Sequence, residues 1–297
     1  MTTNRVGAGP MLNGDPVIAT LLNLIAAPDG AGAEVPMDLD AAAWQKLAGD
    51  ALRNGVAPLV WTRLRELTHS AALPGAARQD LERSRMRVGV DNLRLYGRLA
   101  TVLSSLETAG IDVIVLKGAF LSEVVYPDRA LRSMSDVDLL VHREDLKRTA
   151  ALLRELGWCQ PAGNAAAPPP VAGHQLPTFV LAGVQIEIHW AIEDEESPFR
   201  VDTPGLWCRA VPVRIAGASA FGLAPEDLLL HLCLHTAYGH GWLQFSGGLR
   251  HLCDIAATIR HYRGRLDWTA FVSRAHSWGI ARSAWLALAV ARELVRA

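Results

Sequence analysis

The chain lacks an excess of charge of either sign. It contains 29 Lys and Arg residues against 30 Asp and Glu residues, which gives a formal net charge of -1 at pH 7. Such a balance offers no global electrostatic reason to expect a nucleic acid or a membrane surface as partner. Nucleic acid is therefore not the expected partner, although a local basic patch stays compatible with the sequence.

Long apolar runs and closely spaced cysteines are missing as well. No stretch of about 20 apolar residues occurs, and the first residues, MTTNRVGAGPMLNGDP, carry no apolar segment of the signal-peptide type. We therefore expect no membrane span and a cytoplasmic location. The four cysteines, Cys159, Cys208, Cys233 and Cys253, form no C-x-x-C pair. This scatter fits reduced, mostly buried thiols better than a disulfide framework or a zinc site.

What the sequence does contain is a pair of aspartates in a predicted strand. Asp136 and Asp138 begin the segment DVDLLV, and residues two apart in a strand project from the same face. Repulsion between two such carboxylates is costly unless a cation lies between them, and Mg²⁺ prefers oxygen ligands of this kind. Both aspartates are therefore candidate metal ligands.

A third acid lies in a later strand. The segment Val184 to Trp190, VQIEIHW, alternates so that Glu187 and His189 share the face opposite to its apolar residues. If this strand lies beside the aspartate strand, Glu187 completes a cluster of three carboxylates that suits two metal ions roughly 3.5 to 4 Å apart. His189 would orient Glu187, contact the substrate, or simply be a polar residue at the rim of a cleft.

A Lys-Gly turn precedes the aspartate pair. Lys117 and Gly118 join a predicted strand, Ile111 to Leu116, to a predicted short helix, Ala119 to Tyr126. Backbone N–H groups at a helix start bind anions, and glycine lets a phosphate approach closely. Taken alone, such a turn is more often an ordinary connection.

Two arginines, Arg129 and Arg132, occupy the loop that leads from this helix to the aspartates. Guanidinium groups suit both phosphates and carboxylates. The two arginines are therefore expected either to neutralise the charge of a triphosphate or to act as structural partners of Asp136.

The C-terminal part is rich in histidine. His231 and His235 lie four residues apart on a predicted helix, with His240 just beyond, which is a spacing that zinc can use. Their apolar surroundings favour satisfied core histidines instead. In the next helix, Asp254 is expected to form a packing ion pair with its neighbours Arg250 or His251.

The predicted fold class is α+β, with a small mixed β-sheet flanked by helical regions. We predict a flexible tail over residues 1–15, an N-terminal helical region over 16–109, an α/β core over 110–215, and a C-terminal helical bundle over 216–297 that forms the other wall of a cleft. The last N-terminal helix is predicted over Leu81–Ala109, with Leu93 and Leu99 in its apolar stripe.

Together these motifs resemble the nucleotidyltransferase superfamily of the DNA polymerase beta type, and more closely its bacterial branch of uncharacterised nucleotidyltransferases. The resemblance extends from near Asn54 to the C-terminus and is carried by Leu116-Lys117-Gly118, Tyr126-Pro127, Arg129 and Arg132, Asp136 to Val141, and Glu187 to Trp190. It implies that residues 110–215 form the nucleotidyltransferase core.

The resemblance also implies roles for individual residues. Asp136, Asp138 and Glu187 would be the catalytic and metal-binding acids. The candidate nucleotide-binding residues are Lys117, Gly118, Arg132 and His189. One departure is that the superfamily usually has Gly-Ser after its first strand, where this chain has Gly118-Ala119.

The function implied by the resemblance is Mg²⁺-dependent transfer of a nucleoside monophosphate, through two metal ions, from an NTP to an acceptor. ATP is the expected donor, and the acceptor, whether small molecule, peptide or protein, is not identified by the sequence. The Gly118-Ala119 departure supports one alternative, a catalytically inactive nucleotide-binding or interaction module accessory to a biosynthetic pathway. Because Asp-x-Asp also holds the metal of nucleotide-sugars, a metal-dependent glycosyltransferase is another alternative.

Overall fold

The computed structural model describes residues 15–26, 38–67, 73–160, 173–239 and 248–297. The tail predicted over residues 1–15 lies outside these ranges except for Asp15. The N-terminal part is helical, as predicted, and its helices are α1 (Pro16–Ala26), α2 (Ala41–Arg53), α3 (Ala57–Glu66) and α4 (Gly75–Thr108). Helix α2 begins where the side chain of Asp40 accepts a hydrogen bond of 2.8 Å from the Ala43 N–H.

A mixed β-sheet follows, and it confirms the predicted fold class. Its strands are β1 (Val113–Val115), β2 (Asp136–Val141), β3 (Phe179–Leu181), β4 (Val184–His189), β5 (Val211–Ile215) and β6 (Ala218–Gly222). The spatial order is β3-β4-β2-β1-β6-β5. Strand β2 pairs parallel with β4, and β1 pairs antiparallel with β2 and parallel with β6.

The sheet extends beyond the core limit predicted at residue 215. Strands β5 and β6 form an antiparallel hairpin around Ala216-Gly217, and β6 continues the sheet next to β1. A division at residue 215 would therefore cut this hairpin. The physical reason is that β6 covers the edge of β1, which would otherwise present unpaired backbone groups.

Helices surround the sheet and connect its strands. They are α5 (Lys117–Phe120), α6 (Leu146–Glu155) and α7 (Thr203–Arg209) within the core, and α8 (Pro225–Leu234), α9 (Gly248–His261), α10 (Trp268–Ser277) and α11 (Ala281–Val295) after it. Helix α5 continues into a π-helical turn, Leu121–Val125, and α8 into another, His235–Gly239. No helix in the described ranges is long and apolar enough to cross a membrane.

Helix α8 is fixed to its neighbours through a buried acid in its first turn. Asp227 is fully buried, and it accepts hydrogen bonds from Arg209 Nε at 2.8 Å and from Arg274 Nη1 at 3.0 Å. Buried carboxylates of this kind need charged donors to offset their loss of hydration. The pairing therefore holds α8 against both α7 and α10.

Helix α4 supports the segment between β1 and β2. The Tyr96 hydroxyl donates to the Ala119 carbonyl at 2.6 Å, and Asn92 Nδ2 donates to the Arg129 and Arg132 carbonyls at 2.5 and 2.8 Å. The prediction for this helix was wrong at Leu93, which is 70% exposed although its apolar side chain was assigned to the buried stripe. Its neighbour Asn92 takes the buried position because it satisfies the loop carbonyls.

Candidate active site

Two acids lie side by side at the centre of the sheet. The parallel register of β2 with β4 pairs Asp138 with Glu187, and it follows from the buried residues Val137 and Leu139, which fix the face that β2 turns to the core. Asp138, Glu187 and His189 each offer a ligand atom, and these atoms lie within 4.8 Å of one another. The structure thus brings together two of the predicted acids with the predicted histidine.

Asp136 lies beside this group rather than in it. Its carboxylate accepts a hydrogen bond of 2.9 Å from the Ser135 hydroxyl. Burial raises the pKa of Asp136, and the charges of Asp138 and Glu187 raise it further. Because both other acids act on its pKa, the three carboxylates share one electrostatic environment that holds surplus negative charge.

Two side chains, those of Lys117 and His189, contact the carboxylate of Asp138. The Lys117 ammonium lies 2.9 Å from Asp138 Oδ1, and His189 Nε2 lies 3.0 Å from the same oxygen. Burial opposes ionisation of Asp138, but Lys117 and His189 outweigh it and hold the pKa of this carboxyl well below its usual range. Asp138 is therefore ionised at neutral pH.

His189 also reaches the third acid. Its Nε2 lies 3.6 Å from Glu187 Oε2, and this interaction holds the pKa of Glu187 below its usual range, against the opposing effect of burial. Burial lowers the pKa of His189, but the two carboxylates raise it overall. His189 thus bridges Asp138 and Glu187, which agrees with the orienting role among the alternatives open at the sequence level.

Lys117 adopts an unusual backbone conformation at the start of α5. Its φ is +41°, in the left-handed region that residues with a side chain seldom occupy. Such a conformation costs of order 1–3 kcal/mol and persists only where the surroundings impose it. Here it occurs at the residue whose ammonium contacts Asp138, so the strain coincides with the placement of this charge.

The neighbouring Gly118 allows a guanidinium to lie against the turn. A Cβ atom at this position would overlap Nη1 of Arg132 and would lie 3.2 Å from Met134 Cγ. Glycine at this position therefore leaves the space that the guanidinium of Arg132 occupies, whatever its role toward a nucleotide.

Arg132 itself is buried and paired with an acid that the sequence did not suggest. Its Nη2 donates to Asp254 Oδ2 at 3.0 Å, and the hydroxyl of Tyr126 donates to Asp254 Oδ1 at 2.9 Å. Burial opposes the charged form of Arg132, but Asp254 raises its pKa overall. The structural partner of Arg132 is thus Asp254, in α9, instead of Asp136. The predicted ion pair of Asp254 with Arg250 or His251 was wrong in its partner for the same reason.

Arg250 is a candidate functional residue that sequence reasoning missed. Its Nη1 donates to the carbonyl and the hydroxyl of Ser133, both at 3.3 Å. Its buried Nε has no hydrogen-bond partner among the described residues. Burial lowers the pKa of Arg250, and the charge of Arg132 lowers it further. Arg250 reaches this position through a long-range contact between α9 and the loop before β2, and no local sequence pattern predicts such a contact.

These groups surround a cavity of about 120 Å³, which we call the basic cavity. The residues that line it are Lys117, Gly118, Arg132, Met134, Ser135, Asp136, Asp138, His235, Arg250 and His251. Its walls thus combine the aspartate pair with several cations. An arrangement of acids that hold a metal beside cations that hold phosphates suits a metal-bound polyphosphate.

A second, larger cavity of about 270 Å³ lies next to it, and we call it the histidine cavity. It is lined by Leu116, Lys117, His174, Gln175, His189, Ile192, Glu193, His231, Leu234, His235 and Tyr238. Lys117 and His235 belong to the walls of both cavities. His231 is buried, and neither of its ring nitrogens has a hydrogen-bond partner among the described residues.

The described part of the chain contains no metal-ligand group of the kind that the spacing of His231 and His235 permits. Among the described residues, the group of three potential ligands is Asp138, Glu187 and His189, and it contains neither His231 nor His235. The ring of His231 instead stacks parallel to that of His235, with centroids 6.4 Å apart. His240, the third histidine of the predicted pattern, lies outside the described residues. The expectation that the core histidines are satisfied fails at His231.

The acids fit a divalent cation. Carboxylate oxygens are the ligands that Mg²⁺ and Mn²⁺ prefer, and the raised pKa of Asp136, caused by burial and by the neighbouring carboxylates, reflects repulsion that a cation would relieve. Lys117 and His189 already balance part of the charge on Asp138. The donor set of Asp138, Glu187 and His189, with Asp136 beside it, therefore suits a divalent cation.

Comparison with known proteins yields one family. A family model described as "uncharacterised nucleotidyltransferase" matches residues 40–296. None of the curated proteins matches the chain.

Two solved structures resemble the chain at low similarity. One is the solution structure of the antibiotic-resistance factor ANT(2'')-Ia, with 13% identity, 66% of this chain and 95% of that chain covered, and a TM-score of 0.42. The other is an antigenic nucleotidyltransferase-like protein from Paracoccidioides brasiliensis, with 18% identity, 65% and 92% covered, and a TM-score of 0.39.

Proposed function

Because the chain belongs to the uncharacterised nucleotidyltransferase family, we propose that it transfers a nucleoside monophosphate from an NTP, with ATP as the donor, to an acceptor hydroxyl. The observation that carries this proposal is the register of β2 with β4. It sets Asp138 beside Glu187, and Asp138 and Asp136 line a cavity whose walls also carry the cations Lys117, Arg132 and Arg250.

The proposed metal is Mg²⁺, held by Asp136, Asp138 and Glu187. When bound, the ion would neutralise triphosphate charge and stabilise the charge that develops on the phosphoryl oxygens. The number of ions is part of the proposal, and two would match the pattern of three carboxylates. The chain's own contribution is to hold Asp138 and Glu187 ionised, which their depressed pKa values support.

The cations of the basic cavity would hold the phosphates. Lys117 and Arg250 offer donors at the cavity wall, and Arg132 adds positive charge although Asp254 already binds it. Arg250 has an unpartnered buried Nε among the described residues, so a phosphate oxygen there would satisfy a donor that is otherwise desolvated without compensation. The buried Nε of Arg250 therefore favours binding of a phosphate in the basic cavity.

The transfer step exchanges one phosphorus–oxygen bond for another. The acceptor oxygen bonds to the α-phosphorus, the bond from that phosphorus to the oxygen bridging to the β-phosphate breaks, and pyrophosphate leaves. We propose that the hydroxyl proton passes to Glu187, which the nearby ring of His189, 3.6 Å away, helps to keep ionised. Lys117, Arg132 and Arg250 would balance the negative charge of the departing pyrophosphate.

The test is transfer of label from [α-³²P]ATP in the presence of Mg²⁺, comparing the wild type with Asp138→Asn. Loss of one acid from the metal-binding group is expected to reduce transfer by about 10²- to 10³-fold. The matched control is Asp112→Asn, which removes an exposed carboxylate at the opposite end of β1. Circular dichroism and thermal unfolding establish that each variant is folded. Unchanged transfer by folded Asp138→Asn would remove the metal-site assignment.

One observation favours a second candidate, a nucleotide-binding module without turnover. The ammonium of Lys117 and the ring of His189 already satisfy Asp138, so the acid is stable without a metal. Calorimetry separates the two functions. Binding of Mg-ATP without release of pyrophosphate would support the module, whereas pyrophosphate release that is lost in Asp138→Asn supports the transferase.

A further inference from the structure

The histidine cavity contains a buried polar group that the proposed transfer chemistry leaves unused. His231 is 5% exposed, and both ring nitrogens lack a hydrogen-bond partner among the described residues. Burying a polar group without a partner costs about 1–3 kcal/mol. Such a cost at the wall of a cavity is relieved when a bound molecule completes the hydrogen bonds of this ring.

The chemistry of the ring restricts the ligand. Burial and, to a smaller extent, the charge of Lys117 lower the pKa of His231 to about 3, so the ring is neutral at physiological pH. A neutral imidazole has one donor nitrogen and one acceptor nitrogen. A hydroxyl group, which both donates and accepts, can pair with either nitrogen, whereas a phosphate or carboxylate can serve only the donor.

The other walls favour an uncharged molecule. Glu193 borders the cavity and repels anions, and the proposed transfer assigns the Lys117 ammonium to Asp138 and to the phosphates in the basic cavity. The histidine cavity therefore offers an anionic acceptor little attraction. Leu116 and Ile192 add apolar surface, and the Tyr238 ring adds an aromatic wall of the kind on which the apolar face of a sugar ring can pack.

The size of the cavity points the same way. Its volume of about 270 Å³ lies just below the range of roughly 300–1,000 Å³ that is typical of small-molecule sites. This space suits a molecule of monosaccharide size. A polypeptide segment or an RNA strand would need an extended groove, and RNA would also need cations that are not already paired.

The cavity is adjacent to the acids. His189, which bridges Asp138 and Glu187, lines it, and Lys117 and His235 separate it from the basic cavity. We propose that the histidine cavity binds the acceptor, an uncharged, hydroxyl-rich molecule of monosaccharide size, and that His231 is a specificity-determining residue that hydrogen-bonds one of its hydroxyls. This inference rests on the proposed nucleotidyl transfer and names its acceptor class.

The step is the transfer already described, with the acceptor specified. A hydroxyl oxygen of the bound molecule forms the new bond to the α-phosphorus of ATP, pyrophosphate leaves, and the hydroxyl proton passes to Glu187. A different hydroxyl of the same molecule pairs with His231, which touches the acceptor but takes no proton.

The experiment offers Mg-[α-³²P]ATP to the full chain together with one of three acceptor sets. These are a panel of D-glucose, D-galactose, D-mannose and myo-inositol, a serine-containing peptide, and an RNA oligonucleotide. The variant is His231→Leu, which keeps a similar volume but has no hydrogen-bonding atom. Its matched control is His276→Leu, at an exposed position of α10. The Kd of Mg-ATP is measured for each protein by calorimetry.

We expect the wild type to label at least one member of the polyol panel. His231→Leu should lower this labelling at least tenfold and raise the KM for the polyol, while the Kd of Mg-ATP changes less than twofold. Because removing an unsatisfied polar group tends to stabilise a core, the variant should unfold at a temperature no lower than that of the wild type. If His231 had only a structural role, a variant that unfolds at the same or a higher temperature would not lose polyol labelling.

Other outcomes overturn the inference in distinct ways. Label on the peptide or the RNA, or equal polyol labelling by His231→Leu, would remove the acceptor assignment and leave nucleotidyl transfer standing. Label on none of the three acceptor sets despite Mg-ATP binding would remove the acceptor assignment, and absence of pyrophosphate release would then favour the binding module. Failure of the wild type to bind Mg-ATP would remove the proposed function itself, and with it the acceptor assignment that rests on it.

Discussion

The basic cavity and the histidine cavity share Lys117 and His235. They differ in their buried polar groups, which are charged in the first and neutral at His231 in the second. The basic cavity holds charged groups, and most of them have found partners: Arg132 binds Asp254, and Lys117 binds Asp138. In the histidine cavity, His231 avoids charge altogether, because burial keeps its ring neutral.

The difference indicates which kind of ligand would satisfy the polar side chains of each cavity. A charge buried with only partial compensation, such as that of Arg250, is stabilised by a counter-ion. A neutral ring with an unpaired donor and acceptor is stabilised by a neutral group that offers both. Adjacent cavities of these two kinds suit one anionic and one uncharged substrate, which is the pairing that the proposed acceptor class uses.

Lys117 belongs to both cavities, so its removal should have the largest effect. Lys117→Met deletes a charge that contacts Asp138 and borders the proposed phosphate site, and we expect kcat to fall by about 10²- to 10³-fold. Transfer of label from [α-³²P]ATP measures this. The control is Lys147→Met, on the exposed side of α6. A folded Lys117→Met protein with wild-type kcat would mean that the strained lysine serves only as an ion-pair partner.

The neutral state of His231 should make stability depend on pH. The pKa of this ring is about 3 in the folded protein and about 6.5 unfolded, so the unfolded state binds the proton more readily between these values. Its contribution is constant above pH 6.5 and is lost as the pH falls toward 3. Lowering the pH from 7 to 5 should therefore cost the wild type about 2 kcal/mol through this group.

The measurement compares urea unfolding of the wild type and of His231→Asn at pH 7 and at pH 5. Other groups titrate equally in both proteins, so the difference between their acid losses isolates the contribution of His231. Equal acid losses would show that the ring is hydrated or paired in solution, and the contrast between the cavities would then disappear.

A smaller effect is expected when the charge of Arg250 is removed from the basic cavity. Arg250→Gln deletes a guanidinium that has an unpartnered Nε among the described residues, and the Kd of Mg-ATP should rise about tenfold, which corresponds to about 1.4 kcal/mol. The control is Arg263→Gln, an exposed arginine just after α9. Calorimetry in which both variants bind Mg-ATP like the wild type would exclude Arg250 from the phosphate site.

Strand alternation was sufficient to predict part of the candidate site from the sequence. Alternation along each strand fixes the face of every residue, so Asp138 and Glu187 were predicted to converge if their strands lie side by side. The parallel pairing of β2 with β4 meets that condition. His189 shares the phase of Glu187, so its proximity followed from the same rule. These are local patterns that survive folding unchanged.

The cations could not be assigned in this way. Arg132 meets Asp254, and Arg250 meets Ser133, across more than 100 positions of the chain. Charged side chains choose partners by tertiary proximity, which no periodicity encodes. Leu93 was placed in the buried stripe of α4 for the same reason, because the pattern could not show that the polar Asn92 would take the inward position to bind two loop carbonyls.

The smallest effect is expected at Ala119, where the superfamily resemblance calls for serine. Ala119 is fully buried, and its carbonyl accepts the Tyr96 hydroxyl at 2.6 Å, so its side chain is not exposed to a ligand in the basic cavity. Ala119→Ser should change the Kd of Mg-ATP less than about twofold and lower the free energy of unfolding by about 1 kcal/mol, because the new hydroxyl is buried. Calorimetry and urea unfolding measure the two effects. A tenfold gain in Mg-ATP affinity would instead show that phosphate binding depends on the hydroxyl at this turn, and that the cations of the basic cavity do not suffice.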